Sequence, residues 1–410
     1  MTSWYPIVRL MTSLALMTLG GAGMYASVLV LEPAAAEFGI GRGAASLPYA
    51  MFMIGFGTGG VLMGRMADKV GILIPALAGS FMLPAGFLLA SQADTIFGFC
   101  LALGGLCGLF GASFSFAPLV ADVSLWFHGR RGLAVGVAIS GNYLAGTIWP
   151  PILQRSFDLH GWRQTFIDLA WFDLICMLPL CFLLWPRPPV GDETRDSANS
   201  LHLAQRPLGF SRNRLQCVIC IAGVSCCVGM SMPQVHIVPY VIDLGFAAQQ
   251  GAQMLALMLG AGVFSRIASG WLSDRIGGLR TLLLGGSMQA LVLVWLMFAD
   301  TLPMLYAASI AFGLSQGGIV PSYAIIVRTF FPAGQAGWRI GTALMFTICG
   351  MALGGWMAGV LYDLTGSYDA AYINAIVFNI ANIAIAFVLL RRVTRAMANA
   401  QKPGELSPVS

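Results

Sequence analysis

Gly64-Arg65-Met66-Ala67-Asp68-Lys69-Val70-Gly71 is followed 206 residues later by Gly270-Trp271-Leu272-Ser273-Asp274-Arg275-Ile276-Gly277. Both octets read Gly-x-x-x-Asp-basic-x-Gly, and both stand where a long apolar run ends. The same offset brings Pro33 onto Pro239 and Gly39 onto Gly245. Agreement of Pro, Gly, Asp and a cation at one offset marks an internal duplication, with two halves running in the same sense.

The runs around the octets decide what is duplicated. A helix needs about 20 apolar residues to cross a bilayer. Runs 10–31, 44–64, 71–91, 96–120, 132–153 and 164–185 meet that length, as do 215–241, 251–272, 279–299, 302–327, 340–362 and 370–390. The expected fold is therefore an all-α membrane protein with twelve transmembrane helices in two pseudo-symmetric six-helix bundles. Their bounds are 1–185 and 215–392, with a polar linker over 186–214 and a polar tail over 393–410. The first run is longer than the apolar core of a signal peptide, so no cleavage is expected at Ala34-Ala35-Ala36.

Composition agrees. The chain has 410 residues, 58% hydrophobic and 10% charged, whereas soluble domains carry about 25% charged residues. So few charges cannot cover a solvated surface, and lipid must do it. The net charge of +5 is spread over short turns and forms no patch, which argues against nucleic acid. Cys217 and Cys220 form an isolated C-x-x-C inside an apolar run, which is helix filling and not a metal or redox site. No cofactor and no metal are expected.

Charge also orients the chain. With the N-terminus inside, 18 of the 22 Lys and Arg fall on the inner side, Arg42, Arg155 and Arg163 fall outside, and Arg266 falls within a span. Such a bias follows the positive-inside rule. Both termini and the linker are expected in the cytoplasm, in a plasma or bacterial inner membrane.

The paired octets resemble the Gly-x-x-x-Asp-Arg/Lys-x-Gly signature of the major facilitator superfamily, and the resemblance covers nearly the whole chain. It implies that Gly64, Arg65, Asp68, Lys69, Gly71, Gly270, Asp274, Arg275 and Gly277 belong to cytoplasmic gating loops and not to a substrate site. Within the superfamily the chain is similar to monocarboxylate and oxalate/formate-type organic-anion porters. That likeness rests on Trp126-Phe127 ahead of Arg130-Arg131-Gly132, on Gly161-Trp162-Arg163, on His236 to Tyr240 with Gly245, and on Arg266 ahead of Ser269-Gly270. The chain departs from animal monocarboxylate carriers at Gly262, where they have an Asp, and it lacks their Lys in helix 1.

Polar residues within the spans are the candidate site. A charged side chain inside a membrane helix is costly and usually functional. Arg266 shares its face with Gly262, Ser269, Gly270 and Ser273, and a guanidinium can grip one carboxylate with two parallel hydrogen bonds. The competing reading has Arg266 snorkelling to an interface about six residues, roughly 9 Å, away. His236, flanked by Pro233 and Pro239, and Asp173 are the candidates for a coupled proton; His236 and Tyr240 are also candidate substrate contacts. Tyr25, Ser113, Ser115 and Asn142 in the first half, and Gln316, Ser322 and Tyr323 in the second, are candidates to line a cavity. Each of these also serves as helix glue. Asp122 is expected to pair with Arg65 or Arg131 as a gating contact.

These observations point to secondary transport of a small organic anion, a monocarboxylate such as lactate or pyruvate, by alternating access, with a proton as the candidate coupling ion. Parallel six-helix repeats place a substrate between halves near the midplane. An efflux antiporter is the second reading, although the helix-5 glycines Gly136, Gly141 and Gly146 with Pro150 do not match the glycine-proline motif usual there. A non-transporting sensor is disfavoured by the short linker and tail. The sequence shows no nucleophile–base set, so an enzyme is not expected. The expected partners are the bilayer and a small organic anion, with a monomer as the working unit.

Overall fold

A computed structural model of the chain describes residues 4–127, 131–186, 209–331 and 333–400. Of the expected linker over 186–214, residues 187–208 lie outside the described residues and Arg212 already opens a helix; of the expected tail over 393–410, residues 393–400 continue a helix and 401–410 lie outside, as do Arg130 and the side chain of Arg131. Helix is the one regular structure among the described residues.

The first half comprises α1 (Tyr5–Leu29), α2 (Arg42–Val70), α3 (Leu73–Ser91), α4 (Ile96–Trp126), α5 (Arg131–His160) and α6 (Trp162–Phe182). The second comprises α7 (Arg212–Asp243), α8 (Ala248–Ile276), α9 (Gly278–Met297), α10 (Leu302–Phe330), α11 (Ala333–Thr365) and α12 (Asp369–Ala400). Eleven of these are long and apolar enough to cross a membrane. The exception, α5, has 30 residues, about 45 Å at the usual rise, but Ser140, Asn142, Thr147, Gln154 and Arg155 dilute its apolar content. We call the end where α1 begins the terminal end and the opposite one the far end.

The duplicated octets, read from sequence as loops, are mostly the last turns of α2 and α8, which run on to Val70 and Ile276. The closing glycines of the octets make the break. Gly71 and Gly277 have φ of 89° and 83°, where a Cβ would be strained. The far-end pair Gly39 and Gly245 repeats the device, at 63° and 86°. The duplication seen in sequence is thus a duplication of backbone conformation.

Helices α4 and α10 are broken at matching depth. In α4 the chain passes through a π-helical stretch, Ala102–Ala112, and a tight turn, Ser113–Ser115, before resuming at Ala117. Pro118 in the first turn of the resumed helix has no N–H to give the preceding turn. In α10 the break falls after Gln316, at Gly317 and Gly318, the residues related to Gly111 and Ala112 by the offset of 206. Broken helices free backbone groups and are tolerated where they line a cavity or are buried in protein. Glycine also sets how closely α4 approaches α2: a Cβ on Gly55 would lie 2.1 Å from the Gly104 carbonyl oxygen, and one on Gly59 would lie 2.0 Å from that of Leu109.

The halves meet along two seams, α2 against α11 and α5 against α8. On the first, Asp363 accepts from the backbone N–H groups of Arg42 and Gly43 at 2.8 and 2.7 Å. Deeper in, Tyr49 lies against Gly355, and Gly57 faces Met345 and Ile348. On the second, Gln249 donates to the Pro151 carbonyl at 3.3 Å, and Gly146 faces Leu259. Toward the terminal end the contacts stop. Among the described residues, nothing beyond the local helix backbone comes within 4 Å of a Cβ built on Gly60, Gly64, Gly136, Gly270 or Gly341. The described residues are therefore closed at the far end and parted at the terminal end.

Candidate functional site

Arg266 stands where the α5–α8 seam opens. It lies ten residues before the end of α8 at Ile276, about 15 Å from that end. This is deeper than the 9 Å read from the apolar run, because α8 continues through the octet. Its guanidinium carbon lies 4.3 Å from the ring centre of Tyr143, and Nη2 lies 3.4 Å from the Tyr143 hydroxyl oxygen. Tyr143 belongs to α5 in the other half. Gly262, one turn earlier on α8, makes the approach possible: a Cβ there would lie 2.4 Å from the Tyr143 ring. An arginine on an aromatic face is held by the ring quadrupole while its N–H edges stay available.

Two buried donors at this site have no acceptor among the described residues. The Nε of Arg266 is buried without a hydrogen-bond partner, and so is Nε2 of Gln316. Gln316 ends the first segment of α10, takes a 2.6 Å hydrogen bond from Gln234 on its Oε1, and places its Nε2 3.6 Å from the Cβ position of Gly262. An unsatisfied buried donor costs about 1–3 kcal/mol. Paired unsatisfied donors beside a cation are complementary to an anion that supplies acceptors.

Across the seam, a small cavity opens in the first half among Met17, Met24, Phe52, Phe56, Ser115 and Asn142. Tyr25, adjacent to Met24, donates to the Asn142 carbonyl at 3.4 Å and lies over Gly146, whose Cβ would be 2.4 Å from its hydroxyl. So Tyr25, Ser115, Asn142, Gln316 and Arg266 gather around the opening of the seam. Ser113 faces Gly59 of α2 and bonds its own helix at Leu109.

The other candidates lie elsewhere. His236 is fully buried between α7 and α11. Its Nε2 is 2.7 Å from the Gly355 carbonyl oxygen and its Nδ1 3.0 Å from the Tyr368 hydroxyl. The carbonyl can only accept, so Nε2 carries the proton and Tyr368 donates to Nδ1. Tyr240 donates to the carbonyls of Leu296 and Ala299, both at 3.2 Å, tying α7 to the end of α9. Tyr323 donates to Asn382 at 2.8 Å, and Ser322 bonds its own helix at Gly318. Asp173 is fully buried in α6, with neither carboxyl oxygen partnered among the described residues.

Asp122 differs from its expected pairing. Arg65 is exposed, and the carboxylate of Asp122 is held instead by Arg9, whose Nε and Nη2 each donate at 2.7 Å. Arg9 itself is 0% exposed. It also donates to the Tyr5 hydroxyl and the Pro186 carbonyl, both at 3.0 Å, and lies over the Trp126 ring. This cluster ties α1 to α4 within one half. The gating residues Asp68, Lys69, Asp274 and Arg275 are exposed on the parted side.

Sequence reasoning missed the far-end junction. Arg42 lies between Glu32, Asp243 and the rings of Tyr362 and Tyr368, 3.9 and 5.3 Å from their centres. Its signal was being a cation on the cation-poor side. Tyr143 carried no comparable signal.

Two six-helix bundles meeting along such seams are the frame of a membrane transporter. The chain belongs to the Major Facilitator Superfamily, whose family model matches residues 11–300 and 267–410. It is 27% identical over 307 residues to the MFS-type transporter pynF of Aspergillus niger, covering 74% of this chain and 68% of that one. It is also 27% identical over 350 residues to monocarboxylate transporter 13 of Bos taurus, covering 84% and 79%. Its fold is similar to a solved bacterial homologue of the human lysosomal transporter Spinster in an inward-facing, unoccupied conformation. The TM-score there is 0.72 at 12% identity, covering 98% of this chain and 100% of the other.

Proposed function

We propose that the chain carries a small organic monocarboxylate across the membrane by alternating access, with Arg266 as its carboxylate clamp. The observation that carries this reading is the pair of acceptor-less buried donors, Arg266 Nε and Gln316 Nε2, beside the Arg266–Tyr143 contact. One carboxylate would satisfy both and neutralise the buried cation. The relationship to monocarboxylate transporters supports the same class. In this reading the terminal end is cytoplasmic, as the distribution of cations supports, so the parted side faces inward. A co-transported proton completes the scheme, because an anion and a proton together cross without net movement of charge. His236 and Asp173 remain its proposed carriers, and one chain is the working unit.

The test is uptake of a labelled carboxylate panel into proteoliposomes, with and without a pH gradient, for wild type and Arg266→Lys. Lysine keeps the charge but not the planar fork. Loss of a bidentate charge-assisted contact should cost about 2–4 kcal/mol, roughly 30- to 1,000-fold in affinity, at normal folded yield. Near-normal uptake by Arg266→Lys would remove the clamp. Uptake indifferent to the gradient would remove the proton.

A further inference from the structure

The geometry points to a second anion site, distinct from the Arg266 seam, that binds a phosphate group at the terminal end of the second half. A concavity of about 540 Å³ is lined by Ser211, Arg212, Asn213, Gln335 and Arg339. It lies between the first turns of α7 and α11, two helices of 32 and 33 residues. The first N–H groups of a helix have no partner within it, and its N-terminus carries partial positive charge. Here two such ends meet.

The independent observation is Arg339. It is only 3% exposed, yet its Nη1 has no hydrogen-bond partner among the described residues. The rest of the side chain is splinted. Nε donates to Gln335 and Nη2 to Asn213, both at 3.2 Å, while the guanidinium lies 4.4 Å from the Phe331 ring centre and 4.3 Å from that of Trp338. A buried arginine held on three sides with a free N–H is preorganised for an acceptor. Arg212 adds a second cation to the lining, and no carboxylate lines the concavity among the described residues. Arg212 is only half-buried, but its charge beside the buried Arg339 without a counter-anion is unfavourable, and an anion relieves it.

Depth selects the chemistry. Trp338, 56% exposed, is the kind of ring that sits at headgroup level, and the apolar body of α7 begins at Leu215. The concavity therefore lies at the headgroup layer, where phosphate esters are concentrated, and it is broadly open, so a phosphate can enter with its substituent left outside. A tetrahedral phosphate accepts from Arg339, Arg212 and the α7 N–H groups together. The phosphate has two sources, an anionic lipid headgroup or a free phosphate from solution.

The experiment uses the full chain in nanodiscs of neutral phosphatidylcholine. One arm titrates inorganic phosphate, and the other replaces part of the lipid with phosphatidylglycerol. Thermal unfolding is read in both, and lipid retention by native mass spectrometry in the second. Saturable stabilisation is expected in at least one arm, the arm naming the source. Arg212→Gln and Arg339→Gln should each weaken it about tenfold or more, while Arg214→Gln, exposed and outside the concavity, should leave it unchanged. Arg212→Gln keeps the test decisive if Arg339→Gln does not fold. No saturable stabilisation in either arm overturns the site, as does an equal loss in Arg214→Gln, which would mean diffuse surface charge.

Discussion

Arg42 at the start of α2 donates through Nη2 to Oδ1 of Asp243 at the end of α7, at 2.7 Å, and so joins the two halves at the far end. The same residue holds Asp363 of α11 through its backbone N–H, so one position of the first half engages two helices of the second. Alternating access requires this junction to break whenever the far end opens.

Asp243→Asn should therefore favour far-end opening. An exposed ion pair is worth about 0–1 kcal/mol, and the stacking of Arg42 on Tyr362 adds about as much again, so the open fraction should rise several-fold. The measurement is the labelling rate of Val235→Cys by a membrane-impermeant thiol reagent, in a background with Cys217 and Cys349 replaced by serine. Val235 is fully buried beside Gly355 in the closed seam. An unchanged rate would mean that the pair does not hold the gate.

The junction should also respond to pH. Burial raises the carboxyl of Glu32 above its ordinary value, against the opposing pull of Arg42. Once the far end opens, Glu32 is hydrated and returns to that value. The closed form thus binds the proton more tightly and gains as pH falls through the raised value; the gain disappears at higher pH, where Glu32 is ionised in both forms. Labelling of the same cysteine should slow as pH is lowered from neutral toward the ordinary carboxylate range, after correction for thiol ionisation. Glu32→Gln should abolish the dependence, and a dependence that survives this change assigns it to another group.

Asp122→Asn should destabilise the first half. Removing one partner of a buried ion pair leaves the other charge uncompensated, at about 3–5 kcal/mol. Arg9→Met with Asp122→Leu should recover most of the loss, because neither charge then remains to be solvated. Thermal unfolding of the purified protein checks both. If Asp122→Asn unfolds like wild type while transport fails, the pair acts in gating instead.

Gly262→Ala should disable the site without unfolding the chain. The added methyl would lie 2.4 Å from the Tyr143 ring, so the ring must leave Arg266. Uptake affinity should fall at least several-fold, while Gly270→Ala, two turns along α8 with open space around it, should bind substrate normally in this state. Equal affinity in Gly262→Ala and wild type would show that Tyr143 does not position the arginine.

The sequence by itself determined the twelve helices, their duplication and the strangeness of Arg266. These are local properties: apolar length, a repeated octet, and a charge where the solvent is lipid. Tertiary structure alone decided the partners. Arg9 finds Asp122 across 113 residues, Arg42 finds Asp243 across 201, and Arg266 finds Tyr143 across 123. A helix face admits several partners of suitable charge or shape, and which one is met depends on how the helices pack, which no local pattern records. The same reason moved His236 and Tyr240 away from Arg266: they share a helix end rich in polar groups, but packing turned them toward Gly355, Leu296 and Ala299.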